Sequence, residues 1–118
     1  MYFSSANDLM SIPPVSGGVW NKDILREYLI WHSNSNFTQY IEDFFEMHLA
    51  DEELLDLLFS FLLDDYYDGS DCQMGAARII AKMDRQLLKR KKTLLLQAQE
   101  NEVYWKRPFP NNEHLDWI

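Results

Sequence analysis

The segment from Leu54 to Leu63 constrains the fold of this chain more than any other. Its apolar side chains surround nearly the whole circumference of a helix, and only Asp56 and Ser60 interrupt them. A helix that is apolar on all sides has to be covered by other elements, so this segment is predicted to lie at the centre of the fold. It is too short, and too acidic at both flanks, to cross a bilayer, so no membrane span is predicted.

Apolar residues at three- and four-residue spacings predict two helices before this central one. The first is predicted at about 20 to 32, with Asn21 as its N-cap, and the second at about 37 to 49. Residues 1 to 18 are rich in Ser, Pro and Gly, which predicts an irregular lead-in. A single helical domain is therefore predicted to span residues 19 to 118.

Capping signals mark the start and the end of the central helix. Asp51 is predicted to cap its start, and Gly69, within a turn at 68 to 71, is predicted to end it. Ser70 and Gln73 have the spacing of a capping box, which predicts that a further helix begins there.

The apolar periodicity of this further helix continues to about Gln99. It predicts either one helix of seven turns or two helices that meet near Met83 and Asp84. Pro108 and Pro110 then disfavour helix, so we expect an extended aromatic C-terminal tail that folds back over the helices. No run of period-two alternation is present. The predicted fold class is therefore all-α, a small bundle of four to five helices.

The composition excludes several classes of protein. The chain has 118 residues, and because 47% of them are hydrophobic it has enough apolar mass for one packed domain, not a disordered chain. Its only cysteine, Cys72, cannot form an intramolecular disulfide, and its three histidines lack metal-binding spacing. No catalytic pair or Gly-rich phosphate loop is found in the sequence. We therefore expect neither enzyme activity nor a metal or other cofactor. Because the N-terminus lacks the basic and apolar segments of a secretory leader, we expect a cytoplasmic location.

Acidic and basic residues are separated along the chain, whose formal net charge is −8. Eleven acids and no Lys or Arg lie between Glu42 and Asp71, whereas seven bases and one acid lie between Arg78 and Lys92. One interpretation is that the two segments form surface ion pairs, worth about 0 to 1 kcal/mol each. The other is that an excess of carboxylates stays exposed and binds a cationic partner. The net charge opposes direct binding to nucleic acid or to an anionic membrane.

Tyr66 and Tyr67 lie in the most acidic part of this segment. An EF-hand is excluded because the third and twelfth positions from Asp64 are Tyr66 and Gly75, not the oxygen ligand and the bidentate Glu that it needs. Adjacent tyrosines among carboxylates are typical of a protein interface. The alternative is that one ring lies in the core and the other covers the end of a helix. The predicted partner-binding residues are Glu42, Asp43, Glu46, Asp64, Asp65, Tyr66, Tyr67, Asp68 and Asp71.

These features together resemble the immunity proteins of bacterial toxin systems, most closely those of contact-dependent growth inhibition. The segment from Asp71 to Met83, with Ala76 and Ala77 at its centre, looks like the Ala-rich second helix of a HEAT-like pair whose first helix is Leu54 to Leu63. The Tyr66-Tyr67 pair is similar to the acidic, tyrosine-bearing patch with which colicin nuclease immunity proteins bind their toxins, although no Pro follows it here.

The resemblance implies a cytoplasmic bacterial protein that binds the C-terminal domain of a cognate toxin, a basic nuclease, and blocks its active site or substrate groove. Carboxylates would then take the place of substrate phosphates. An alternative with the same surface is an acidic nucleic-acid mimic, of the anti-CRISPR or anti-restriction type, that inhibits a host DNA- or RNA-binding protein. A third is a helical regulator whose basic segment at 89 to 92 contacts RNA.

Overall fold

The structure, a computed structural model, describes residues 12–34, 38–64, 71–101, 106–109 and 115–118. Within these ranges the chain is mostly helical, with one small antiparallel sheet. In chain order the elements are β1 (Val15–Ser16), β2 (Val19–Trp20), α1 (Lys22–Asn34), α2 (Thr38–Glu46), α3 (Glu52–Leu62), α4 (Asp71–Lys82), α5 (Arg85–Arg90), α6 (Lys92–Gln99) and a short 3-10 helix (Leu115–Trp117). No helix within these ranges has the length and apolar character needed to span a membrane.

A β-hairpin precedes the first helix, where an irregular lead-in was expected up to residue 18. Val15 pairs with Trp20 and Ser16 with Val19, and the turn between them is formed by Gly17 and Gly18 at φ values of 58° and 79°. Two successive residues with positive φ make the turn that matches the twist of a two-residue hairpin, and glycine adopts this conformation without a steric cost. The all-α prediction is therefore wrong for residues 15 to 20, and ordered structure begins before Trp20.

Side-chain caps fix the starts of the helices that carry much of the core. The Asn21 Oδ1 atom accepts hydrogen bonds from the N–H groups of Asp23 and Ile24 at 3.0 and 3.2 Å, and Asp51 Oδ1 accepts two at the start of α3, also at 3.0 and 3.2 Å. Both capping predictions are confirmed. Helix α3 supplies much of the core, as predicted, since it buries Leu54, Leu55, Leu58, Phe59, Phe61 and Leu62. It is not covered on all sides, because Glu52, Glu53 and Asp56 are exposed, and the central position predicted for it is taken by the helix at Asp71–Lys82, which has the two largest helix–helix interfaces of the described chain.

The second helix is shorter than predicted. It ends at Glu46, and residues 47 to 50 form turns in which the Met47 and His48 N–H groups bond to the carbonyls of Phe44 and Phe45. Phe37, the predicted first residue of this helix, lies outside the described residues.

Helix α4 packs against both α1 and α3, as the largest helix–helix interfaces of the described chain. Gly75 permits the contact with α1, because a Cβ atom there would lie 2.8 Å from the Leu29 carbonyl oxygen. The predicted packing of 71–83 against 54–63 is thus present, with α1 as a second neighbour that the periodicity did not indicate. The HEAT-like assignment of this pair stays a prediction.

The long helical signal from 72 to 99 is divided into three helices, so the described chain has six helices where four to five were predicted. Of the two alternatives given for this segment, the structure shows the one with a break near Met83 and Asp84. There the Asp84 N–H group donates to the Leu49 carbonyl at 2.8 Å, and its Oδ1 atom accepts from the Leu87 N–H group at 3.0 Å, which starts α5. A second break, at Lys91, was not predicted.

The Gln73 side-chain amide has a role at the end of α3 that was not predicted. Its Nε2 atom lies 3.2, 3.3 and 3.0 Å from the carbonyl oxygens of Phe61, Leu62 and Asp64, so it satisfies the C-terminal end of α3. The capping box that was predicted requires Ser70, which lies outside the described residues, as does Gly69.

The described part of the C-terminal tail folds back on the helices, as predicted. The Gln99 side-chain amide pairs with the Phe109 backbone in both directions, at 2.7 and 2.8 Å. The Arg85 guanidinium lies 4.6 Å from the centre of the Trp117 ring. The tail is not extended throughout, because Leu115–Trp117 is a turn of 3-10 helix.

Candidate partner-binding surface

The nine predicted partner-binding residues fall into two groups. Asp65, Tyr66, Tyr67 and Asp68 lie outside the described residues, so the tyrosine-bearing interface stays a prediction. The other five are described, and their positions differ. The structure places Glu42, Asp43 and Glu46 on α2, Asp64 just after α3, and Asp71 at the start of α4.

Glu42 is engaged in contacts within the fold. Its Oε1 atom lies 2.7 Å from His32 Nε2 on α1, and its Oε2 atom accepts a hydrogen bond from Lys82 Nζ on α4 at 2.8 Å. The hydrogen bonds from Lys82 and His32 hold the pKa of the Glu42 carboxyl below its ordinary value. Glu42 therefore joins three helices, which corrects the expectation that it is free for a partner.

Two of the three acids on α3 are also matched within the chain, whereas Glu53 is exposed and forms no ion pair with a described residue. Asp56 lies 3.0 Å from Lys91 Nζ, and Glu52 lies 3.4 Å from Arg90 and 3.8 Å from Lys91. These are the ion pairs that the first interpretation of the charge pattern predicted, between the acidic and the basic segments. They leave part of that pattern unmatched.

Two acids of α2 are unmatched as well. Asp43 and Glu46 are both exposed, and neither forms an ion pair with a described residue. Asp43 Oδ1 only accepts a hydrogen bond from Gln39 Nε2, one turn earlier, at 2.8 Å. Residues three and four apart share one side of a helix, so Asp43 and Glu46 form one surface, the α2 acidic face.

Two large apolar side chains, one in the hairpin and one just after α2, are exposed. Met47, next to Glu46, is 80% exposed, and Val19 in β2 is 71% exposed. The half-buried Trp20 ring lies 5.4 Å from the His48 ring and 6.0 Å from the Phe44 ring, so β2 packs against the end of α2.

Neither Val19 nor Met47 was predicted as a site residue. Helical spacing does not show that Met47 is exposed, because α2 ends at Glu46 and the turn that follows sets its direction. Val19 could have been found from Val-Ser-Gly-Gly-Val-Trp, since Gly-Gly between β-branched residues is a hairpin signal that places alternate side chains on opposite sides.

The described titratable side chains include the one thiol of the chain, that of Cys72. The Cys72 thiol is buried, and desolvation raises its pKa to about 12, so it carries a proton near neutral pH and is a poor nucleophile. Within the part of the chain that the structure describes, no group of three or more His, Cys, Asp or Glu residues is arranged to hold a metal ion.

No family model, curated protein sequence or solved structure matches this chain.

Proposed function

We propose that this chain is an immunity-type inhibitor, which binds a basic toxin domain and blocks its substrate site. One observation carries the proposal: the α2 acidic face has no cationic partner among the described residues, whereas Glu52 and Asp56 of α3 have Arg90 and Lys91 beside them. Exposed like charges repel one another and oppose folding, so their retention is explained if a cationic partner covers them.

The mechanism is competitive. The surface by which a nuclease binds its substrate is positively charged, because it has to bind phosphates. Carboxylates at the α2 acidic face attract the same surface and raise the rate of encounter, by tenfold or more at low salt and less as ions screen the charges. A toxin that is bound in this way is excluded from its nucleic-acid substrate.

The test uses the wild-type chain and two matched variants to capture a partner protein from an extract of the native cells. The activity of the captured protein is then assayed. Asp43→Lys with Glu46→Lys reverses the α2 acidic face. Glu53→Lys with Glu100→Lys reverses two exposed acids elsewhere and so gives the same net charge. We expect the wild-type chain and the control to retain a basic protein that the α2 variant loses, and we expect one equivalent of the chain to abolish the toxic activity of that protein.

Three outcomes contradict the proposal. Capture of a restriction or CRISPR component would favour the nucleic-acid mimic, and capture of RNA would favour the regulator. Equal loss of the toxin from both variants would show that net charge, and not the α2 acidic face, decides the binding.

A further inference from the structure

We infer that Glu42 is a positioning residue for the α2 acidic face, because it holds Lys82 at its own carboxylate and so keeps that lysine from pairing with Glu46. The inference rests on the proposed function and adds a residue that would not itself contact the partner. It concerns the one lysine or arginine that forms an ion pair with α2 in the part of the chain that the structure describes.

Both carboxylate oxygens of Glu42 are engaged. The Oε1 atom lies 2.7 Å from His32 Nε2, and the Oε2 atom accepts a hydrogen bond from Lys82 Nζ at 2.8 Å. The His32 side chain is only 5% exposed, so it is fixed by the packing around it and holds the Glu42 carboxylate in one place. Lys82 therefore meets a carboxylate whose position is already set.

Glu46 is the neighbouring carboxylate on the same side of α2. Residues four apart in a helix have Cβ atoms about 5 to 6 Å apart, so Glu42 and Glu46 lie one turn from each other. Lys82 has a long, flexible stem, and its side chain is 42% exposed, so it has room to turn from one carboxylate to the other. In the structure it is paired with Glu42, and Glu46 is exposed without an ion pair to a described residue.

The two carboxylates differ in what they offer to a lysine. Glu42 is already held by His32, so little side-chain freedom is lost when Lys82 binds to it, whereas the exposed Glu46 side chain would first have to be ordered. The hydrogen bonds from Lys82 and His32 also hold the pKa of the Glu42 carboxyl below its ordinary value, so its ionised form is favoured. Pairing at Glu42 is therefore preferred, and Glu46 keeps its full charge.

The charges on this side of α2 give the inference a distinctive signature. Glu42 and Lys82 cancel each other, which leaves the two negative charges of Asp43 and Glu46. If Glu42 is neutralised, Lys82 offsets one of those two charges. If Lys82 is neutralised as well, both charges are available again. A second substitution is therefore expected to restore the attraction that the first one removes.

A synthetic hexa-arginine peptide serves as the cationic probe, so the experiment does not need the natural partner. Its affinity for the full chain is measured at low ionic strength from the NMR shifts of the Asp43 and Glu46 amide signals. The test variants are Glu42→Gln and Glu42→Gln with Lys82→Met. The matched controls use exposed residues that form no ion pair with a described residue, namely Glu53→Gln alone and Lys89→Met added to Glu42→Gln.

We expect Glu42→Gln to bind the peptide about threefold more weakly than the wild-type chain, the effect of one unit charge at about 7 Å in water. Adding Lys82→Met should restore the wild-type affinity, whereas adding Lys89→Met should not, and Glu53→Gln should have a smaller effect than Glu42→Gln. A nuclear Overhauser contact between the Lys82 ε protons and the Glu46 γ protons should appear in Glu42→Gln. In the wild-type chain, the Lys82 contact should be with Glu42.

Equal weakness of Glu42→Gln with and without Lys82→Met would overturn the inference, because Glu42 would then contact the cation itself. Equal restoration by Lys89→Met would also overturn it, since net charge alone would decide the affinity. Should Glu42→Gln not fold, Lys82→Met alone is the test: it should bind the peptide more tightly than the wild-type chain, and weaker binding would contradict the inference. Failure of the immunity function would be recorded separately, as the absence of an inhibited toxin, with the order of peptide affinities unchanged.

Discussion

Helices α2 and α3 each carry three carboxylates, and their ion pairs differ. On α3, Lys91 lies 3.0 Å from Asp56 and 3.8 Å from Glu52, because the turn between α5 and α6 passes that side of the helix, and Glu53 has no ion pair with a described residue. On α2, Glu42 alone reaches a Lys, and it does so on the side that faces α4. Asp43 and Glu46 are exposed and form no ion pair with a described residue.

This difference shows that an excess of acidic residues in a sequence segment does not identify where the acidic surface of the folded chain lies. The matched acids are the ones that the fold places opposite a basic turn or helix end. The unmatched ones include Asp43 and Glu46 on α2 and Glu53 on α3. Binding of a partner at the end of α2 stays a proposal.

Truncating a buried side chain of α3 should lower the free energy of unfolding more than the other substitutions do. Leu58 is fully buried, so Leu58→Ala should lower the free energy of unfolding by about 2 to 5 kcal/mol. Met47→Ala, the matched truncation at the end of α2, should change it by less than about 0.5 kcal/mol. Urea denaturation measures both values, and similar losses for the two variants would remove the distinction between the two helices.

Adding a methyl group at the α1–α4 interface should have an intermediate effect on the free energy of unfolding. Because the added Cβ atom would lie 2.8 Å from the Leu29 carbonyl oxygen, Gly75→Ala should cost about 1 to 3 kcal/mol. The same variant should shift the NMR signals of Lys82 and Glu42, since α4 carries Lys82 to α2. An unchanged unfolding free energy would mean that α1 and α4 are further apart than the structure places them.

Glu42 and Glu46 on α2 should differ in how their contributions to the free energy of unfolding depend on pH. The pKa of Glu42 is below its ordinary value of 4.5, so its ionised form stabilises the folded chain at neutral pH, and this contribution is lost as the pH falls from 4.5 through the lowered pKa. Glu42→Gln should cost about 1 kcal/mol near pH 7, because Lys82 is exposed to water, and the difference from wild type should close in acid.

Glu46→Gln provides the control for this experiment, since Glu46 has no ion pair among the described residues. It should follow the wild-type stability at neutral pH. A larger loss for Glu46→Gln than for Glu42→Gln would reverse the assignment of the two acids.

Much of the helical structure could be predicted, because its signals are local. Asn21 and Asp51 bond to N–H groups two and three residues away, and the break at Asp84 uses its own side chain. The hairpin was missed because strands of two residues give no alternation. The bonds from Gln73 Nε2 to the end of α3 were missed, because its carbonyl acceptors lie 9 to 12 residues earlier.

The candidate site was predicted less well. Charge counts correctly indicated that pairing between the two segments would be incomplete, but Glu42 meets Lys82 across 40 residues and Asp56 meets Lys91 across 35. Only the packing of α4 on α1 and α3 brings these groups together. The exposure of Met47 likewise depends on where α2 ends, which periodicity placed three residues too late.

The central claim is that the electric potential is more negative at α2 than at α3, and paramagnetic relaxation measures it directly. A cationic and a neutral nitroxide of equal size are added, in separate samples, to the labelled chain. The relaxation enhancement caused by the cationic nitroxide is divided by that caused by the neutral one, at the amide protons of Asp43, Glu46, Glu52 and Asp56. The account predicts a higher ratio at the two residues of α2, and predicts that Lys91→Gln raises the ratio on α3 toward the α2 value. An equal or lower ratio on α2 in the wild-type chain would contradict it.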